Sequence, residues 1–256
     1  MGYLRQRIED YNLSLVGELF DRLRNPYEAR ADWARLGNAM IQAEMGIHNT
    51  GSIDSANNVS NIETAIYAAT AFYCGGYSAS AYLTLKAVQN SGLSDAYKAC
   101  FDLLARPRVI VSDVVRSLVA AVQRGDLYFI DDYVRGAVAT AQSQMDSGPD
   151  EWIQTHLLAK LCEQFARTNV RKVLPDGGDE FWSPLVRSFL SRTPPIWDFF
   201  PSQIEAFERG LLQGTETYSL QMPTGAGKTA LTETVLYHHA KNHPAEAAIL
   251  LVVHHY

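Results

Sequence analysis

A short segment in the last quarter of the sequence contains residues whose types and spacing suit phosphate binding. The sequence at 222–229 is MPTGAGKT. Gly225 and Gly227 have no Cβ, so the backbone can curve and direct successive N–H groups towards an anion. Lys228 can then reach the β- and γ-phosphates of ATP, and the hydroxyl of Thr229 can bind the accompanying Mg²⁺. The predicted ATP and Mg²⁺ site consists of these residues: Thr224, Gly225, Ala226, Gly227, Lys228 and Thr229.

The segment departs from the general phosphate-loop pattern at one position. That pattern has a glycine six residues before the lysine, where this chain has Met222. The alternative interpretation is a glycine-containing turn that ends in Lys-Thr and binds no phosphate. The flanking sequence favours the phosphate site, because an apolar run at 217–222 predicts a strand before the loop and residues 228–241 predict a helix after it. Such a helix would add unpaired N–H donors and the positive end of its dipole.

The pattern around this loop differs from that of the rest of the chain. A second apolar run, at 248–253, follows the predicted helix, and strand, loop, helix and strand form a βαβ unit, which starts a parallel sheet. Residues 3 to about 190 instead show the apolar spacing of successive helices, separated by glycines and prolines. The Thr-Pro-Pro sequence at 193–195 cannot continue a helix. The predicted fold class is α plus α/β, with an all-α domain at 1–192 and the truncated βαβ start of an α/β ATP-binding lobe at 193–256.

Composition limits the classes of partner. The hydrophobic content of 47% is that of an ordinary globular protein. The net charge of −6 excludes a general electrostatic attraction to nucleic acid or anionic membranes. The three cysteines lack CxxC spacing, which predicts reduced thiols. No apolar run approaches the about 18 residues of a membrane span, and the N-terminal sequence is not that of a signal peptide. We therefore expect a cytoplasmic protein without a membrane partner.

The segment MPTGAGKT resembles the first motif of superfamily 2 (DEAD/DEAH-box) helicases, in which Ala or Met commonly replaces the first glycine. Upstream, the sequence FFPSQ at 199–203 resembles the Q-motif region of these helicases. The resemblance implies that Gln203 recognises the edge of adenine, for which its amide offers an acceptor and two donors. The alternative is that Gln203 is an ordinary surface residue of a short helix. The run at 248–253 resembles the strand that leads to the next motif of the family.

The resemblance covers about residues 197–253 and implies the start of a RecA-like lobe. Downstream of the loop, the sequence has no acidic DExD/H box, no Ser-Ala-Thr motif and no second RecA-like lobe, and His-His-Tyr at 254–256 departs from the family pattern. In the family, the acidic box holds Mg²⁺ and orients the attacking water. We therefore expect a sequence that is incomplete for catalysis, with nucleotide binding but no hydrolysis on its own.

The leading hypothesis is the ATP-binding N-terminal part of an ATP-dependent nucleic-acid helicase or translocase, with DNA or RNA as the partner of the full motor. The helical region is more acidic than basic, which favours a protein partner for that region. One alternative is a helical protein-interaction scaffold with a vestigial ATPase segment, and another is a different P-loop NTPase, such as a kinase or a GTPase. The chain also resembles the helicase subunit of the Hachiman system of antiviral (antiphage) defence.

Overall fold

The regular secondary structure of the described residues is helical. The computed structural model describes residues 2–24, 29–49, 57–86, 88, 91–144, 148–175, 179–213 and 227–243. Within these ranges lie α1 (Gly2–Arg24), α2 (Arg30–Asn49), α3 (Asn57–Cys74), α4 (Ser78–Leu85), α5 (Asp95–Ala105), α6 (Asp113–Arg124), α7 (Leu127–Ser143), α8 (Pro149–Thr168), α9 (Val170–Val173), α10 (Asp179–Leu190), α11 (Pro201–Glu208) and α12 (Lys228–Asn242). None of these helices is long and apolar enough to cross a membrane.

The α/β part of the predicted fold class is wrong for the described residues. These contain no strand and no sheet, and their one β-type pairing is an isolated antiparallel bridge between Asn169 and Asp198. The physical reason lies in α11 and α12, whose buried residues, among them Phe207 and Leu231, join a core that is built from helices. Helices rather than a sheet therefore cover their apolar faces. The runs predicted as strands, at 217–222 and 248–253, lie outside the described residues.

Capping residues set the ends of the helices on either side of the α5–α6 connection. Ser94 and Ser112 precede α5 and α6, and each hydroxyl accepts a hydrogen bond from an N–H group of the following first turn. Gly125 ends α6 with a φ of +80°, in the left-handed region that favours glycine. Asp102 of α5 accepts a hydrogen bond of 2.7 Å from the N–H of Ser112. This carboxylate fixes the start of α6 relative to α5.

The centre of the fold is the contact between α2 and α3. Ala68 and Ala71 of α3 are fully buried, and their small side chains allow the two helices to approach closely. A Cβ on Gly37 of α2 would lie 3.1 Å from the carbonyl oxygen of Ala68, so glycine suits this position. α5 and α8 also pack on α3, and α3 and α5 are joined by a hydrogen bond of 2.6 Å between the hydroxyls of Tyr67 and Tyr97.

The hydrophobic core continues across the position predicted as the domain boundary. Trp197 and Phe199 are buried and belong to the same core as Phe165 of α8 and Phe189 of α10. Phe199 packs edge-on against Phe189, with 6.1 Å between the ring centroids. The division at 192/193 stays a prediction, and residues on its two sides contact each other directly.

Candidate nucleotide-binding site

The predicted phosphate-binding residues that the structure describes lie at the N-terminus of α12. Lys228 and Thr229 are its first two residues, and both are exposed. Gly227 precedes them with a φ of +75°, a conformation that favours glycine. Among the described residues, no side chain caps this end of α12. The first N–H groups of a helix have no partner within the helix and suit an anion. The remaining predicted residues lie outside the described ranges: Thr224, Gly225 and Ala226.

Gln203 joins α11 to the residue that precedes α12. Its side chain is buried, and its Oε1 accepts a hydrogen bond of 2.7 Å from the N–H of Phe200, which is half of a capping box at the start of α11. Its Nε2 donates a hydrogen bond of 2.7 Å to the carbonyl oxygen of Gly227. A Cβ on Gly227 would lie 2.5 Å from this Nε2. Glycine is therefore required at 227 by the close approach of Gln203 as well as by its φ.

These two hydrogen bonds bear on the predicted contact with adenine. The amide of Gln203 has one N–H and one acceptor lone pair left after binding Phe200 and Gly227. An adenine ring would therefore share the amide with the backbone of the site. The adenine contact stays a prediction, while the burial of Gln203 shows that it is not an ordinary surface residue.

α12 is held against α10 along one side. The hydroxyl of Tyr237 donates a hydrogen bond to a backbone carbonyl of α10. The rings of His238 and Trp182 stack, with 5.7 Å between centroids and 14° between planes. Nearer the start of α12, Glu233 forms an ion pair with Arg192. These contacts fix the direction in which α12 points, and therefore the direction of its N-terminal N–H groups.

A buried ion pair connects the same region to α5. Nη2 of Arg106 donates to Oδ1 of Asp198 at 2.6 Å, and the two side chains are only 10% and 1% exposed. Arg106 follows α5 with a φ of +48°, which is uncommon for a residue other than glycine. Burial raises the pKa of the nearby Tyr73 well above its usual value, and the charge of Asp198 raises it further.

A cavity of about 190 Å³ lies between the hydrogen bond of Gln203 to Gly227 and the ion pair of Arg106 with Asp198. Gly227 and Gln203 form part of its wall, and Asp198, Arg106 and Tyr82 form another part. Tyr82 belongs to α4 and Arg106 follows α5. The N-terminal helices therefore supply part of the surface beside the predicted phosphate site.

Thr229 is the predicted protein ligand of Mg²⁺, and its exposed position is accessible to an ion that arrives with ATP. Mg²⁺ takes many of its ligands from substrate phosphates and water, with few from the protein. Among the described residues, no group of three or more His, Cys, Asp or Glu side chains is placed to hold a metal ion. Mg²⁺ binding by Thr229 stays a prediction.

The ion pair between Arg106 and Asp198 is not among the features predicted from the sequence. The sequence does indicate that Asp198 is buried, because it lies between the aromatic residues Trp197 and Phe199. A segment that buries both neighbours can also bury the carboxylate, and a buried carboxylate needs a partner. That partner is 92 residues away in sequence, and nothing in the local pattern indicates which cation it is.

Comparisons with known proteins do not place the chain in a family. No protein-family model matches it, and no curated protein matches it. The helicase function that the resemblance of the loop implies therefore stays a prediction.

Proposed function

We propose that this chain binds the phosphates of ATP at the N-terminus of α12, as the ATP-binding part of an ATP-dependent nucleic-acid helicase or translocase. One observation carries the proposal: Gln203 holds Gly227 in a left-handed conformation directly before the exposed residues Lys228 and Thr229. A backbone held in this way presents N–H groups to an anion without rearranging when the anion binds.

Each residue at this helix end has a distinct role in the proposal. The ammonium group of Lys228 neutralises charge on the β- and γ-phosphates, and the hydroxyl of Thr229 contributes one ligand to Mg²⁺. The N–H groups of the first turn and the positive end of the helix dipole add to the attraction. Ala230 and Leu231 are buried, so the helix end is anchored immediately behind the groups that contact phosphate.

Nucleic acid is the partner of the full motor, and the helical region that includes α1 to α10 contacts a protein partner. We place the protein in the cytoplasm, where ATP is abundant and thiols stay reduced. The three cysteines are buried free thiols, which fits that location.

The test is the affinity for ATP with Mg²⁺, measured by isothermal titration calorimetry on the chain and on Lys228→Ala. Loss of the lysine should weaken binding by about tenfold or more, because a charge-assisted bond to phosphate is removed. Lys172→Ala is the matched control, since it removes an exposed lysine of α9. It should bind ATP as the unchanged chain does. Equal affinities for the chain and Lys228→Ala would contradict the proposal.

A helical protein-interaction scaffold is the second candidate function. It is favoured by the helical architecture of the described residues and by exposed apolar side chains between α5 and α6, where Val109 is 74% and Val111 is 54% exposed. The same titration separates the two candidates. No heat of binding at millimolar ATP, with the chain folded by circular dichroism, would leave the scaffold as the better proposal.

A further inference from the structure

The cavity of about 190 Å³ beside Gly227 is lined in part by the helical region. Ala79 and Tyr82 of α4 belong to its wall. Whole small-molecule sites commonly measure about 300–1,000 Å³. This cavity is smaller, so it can take a single ring system rather than a complete nucleotide.

Gly227 connects the cavity to the end of α12 at which the phosphates are proposed to bind. It lines the cavity, and the exposed residues Lys228 and Thr229 follow it directly in the chain. Ala230, in the first turn of α12, lines the cavity as well. The cavity therefore adjoins the phosphate site, where the base of a bound nucleotide can enter it.

The wall of this cavity is mainly apolar. Pro194, Pro195 and Ile196 line it, together with the aromatic residues Tyr82 and Phe200. Tyr82 is half-buried, so part of its side chain is accessible to a ligand. Apolar and aromatic surface suits the face of a planar ring, which can stack on it.

The polar side chains of the wall offer little to the edge of a base. Ser78, Asp198 and Gln203 are buried, and the side chain of Arg106 is only 10% exposed and ion-paired with Asp198. The amide of Gln203 already makes two hydrogen bonds to the backbone. Hydrogen bonds to its edge distinguish one base from another, whereas every base has a face that can stack. Stacking is therefore the main interaction that this cavity offers.

We propose that the cavity holds the base of the nucleotide whose phosphates bind at α12, and that Tyr82 of the helical region stacks on this base. The inference rests on the proposed function, because it needs the phosphates at Lys228. Gln203 then positions Gly227 and does not read the base. The ligand class is a nucleoside triphosphate with weak selection among purine bases, and the helical region forms part of the site.

The experiment measures the affinities of ATP, GTP and inorganic triphosphate, each with Mg²⁺, by isothermal titration calorimetry on the full chain. Triphosphate has no base, so the comparison with ATP isolates what the cavity contributes. The same titrations are made on Tyr82→Ala, Tyr82→Phe and Ala79→Leu. Ala79 is exposed and lines the cavity, so leucine there narrows the cavity without replacing a buried residue. Tyr128→Ala is the matched control, because it removes a tyrosine of α7 that is 75% exposed.

We expect ATP and GTP to bind within about threefold of each other and about tenfold more tightly than triphosphate, because an aromatic ring stacks on either base. Tyr82→Ala and Ala79→Leu should lower the affinity for ATP to nearly that for triphosphate and leave the affinity for triphosphate unchanged. Tyr82→Phe keeps the ring, so it should bind all three ligands as the unchanged chain does. Tyr128→Ala should do the same.

ATP that binds no more tightly than triphosphate would overturn the inference. Unchanged ATP affinity in Tyr82→Ala would also overturn it, as would equal weakening of ATP and triphosphate in that variant. If Tyr82→Ala does not fold by circular dichroism, unchanged ATP affinity in Ala79→Leu overturns the inference instead. ATP binding more than about tenfold tighter than GTP would show that hydrogen bonds read the edge of the base, against the inference. Failure of the proposed function is seen separately, as the same triphosphate affinity with and without Lys228→Ala.

Discussion

Two regions of the molecule are held together in different ways. α2, α3, α5 and α8 pack through many buried apolar side chains. α11 and α12 contribute fewer buried side chains to this core, and their part of the molecule also contains polar contacts between residues far apart in sequence: Gln203 with Gly227, Arg192 with Glu233, and Arg106 with Asp198. Truncation of a buried apolar side chain lowers the free energy of unfolding by an amount that grows with the volume removed. Removal of one partner of a buried polar contact also leaves the other partner without a hydrogen bond. The candidate site lies in the region that contains these polar contacts.

The largest effect should come from breaking the buried ion pair. Asp198→Ala leaves the guanidinium of Arg106 buried without its counterion, which should lower the free energy of unfolding by about 3–5 kcal/mol. Urea denaturation followed by circular dichroism measures this. The double variant Arg106→Met with Asp198→Leu should lose less than Asp198→Ala, because neither charge is left alone. A double variant less stable than the single one would show that the pair stabilises the fold directly.

A change in the apolar region should have a similar or slightly smaller effect on stability and none on the site. Leu157 of α8 is fully buried, and Leu157→Ala should lower the free energy of unfolding by about 2–5 kcal/mol through the cavity that it creates. Leu83→Ala is the control, because Leu83 is 64% exposed, and it should change stability by less than about 0.5 kcal/mol. The ATP affinity of folded Leu157→Ala should equal that of the unchanged chain. Weaker ATP binding would show that the two regions are coupled.

Removing the tether between α11 and α12 should have a smaller and more local effect. Gln203→Leu keeps the volume but loses both hydrogen bonds, at a cost of about 1–3 kcal/mol. Hydrogen exchange followed by mass spectrometry should show faster exchange in α12, with α3 and α8 unchanged. Gln142→Leu, the same change at an exposed position of α7, is the control and should leave exchange in α12 unchanged. Unchanged exchange in α12 after Gln203→Leu would mean that its contacts with α10 alone hold it.

The difference between the two regions also explains what the sequence could predict. The helix predicted at 228–241 is confirmed within a residue, as Lys228–Asn242, because this stretch contains no glycine or proline and Pro244 follows it, and both are local signals. Short apolar runs predict strands less reliably, because the same run fits a buried strand or a buried segment of a helix. The prediction of a sheet is wrong for the described residues.

The candidate site was predictable only in part. The residue types at 227–229 identify a possible phosphate contact from sequence alone. The hydrogen bond from Gln203 to Gly227 spans 24 residues, and it follows from the packing of α11 beside α12 rather than from any local pattern. Tyr82 and Arg106 belong to no motif, so only the fold shows that they line the cavity beside Gly227.

The smallest effect concerns the contact between α12 and α10, which should weaken as the pH falls. Burial lowers the pKa of His238, and the neighbouring His239 and His243 lower it further. The unfolded chain therefore binds more protons than the folded chain as the pH falls from the usual histidine pKa of about 6.5, and stability declines in that range. Among the described residues, the groups that contact the His238 ring are the rings of Trp182 and Phe181 and the amide of Asn242, none of which is anionic.

A local measurement is needed, because burial also lowers the pKa of His156 in α8. Hydrogen exchange in α12, corrected for the intrinsic rate, should increase between about pH 7.5 and about pH 5.5. In His238→Phe the increase should be smaller, since phenylalanine keeps an aromatic ring beside Trp182 and binds no proton. His156→Phe is the matched control and should leave the increase in α12 unchanged. A pH dependence that is the same in His238→Phe as in the unchanged chain would contradict the prediction, because the stacked ring would then have no part in the effect.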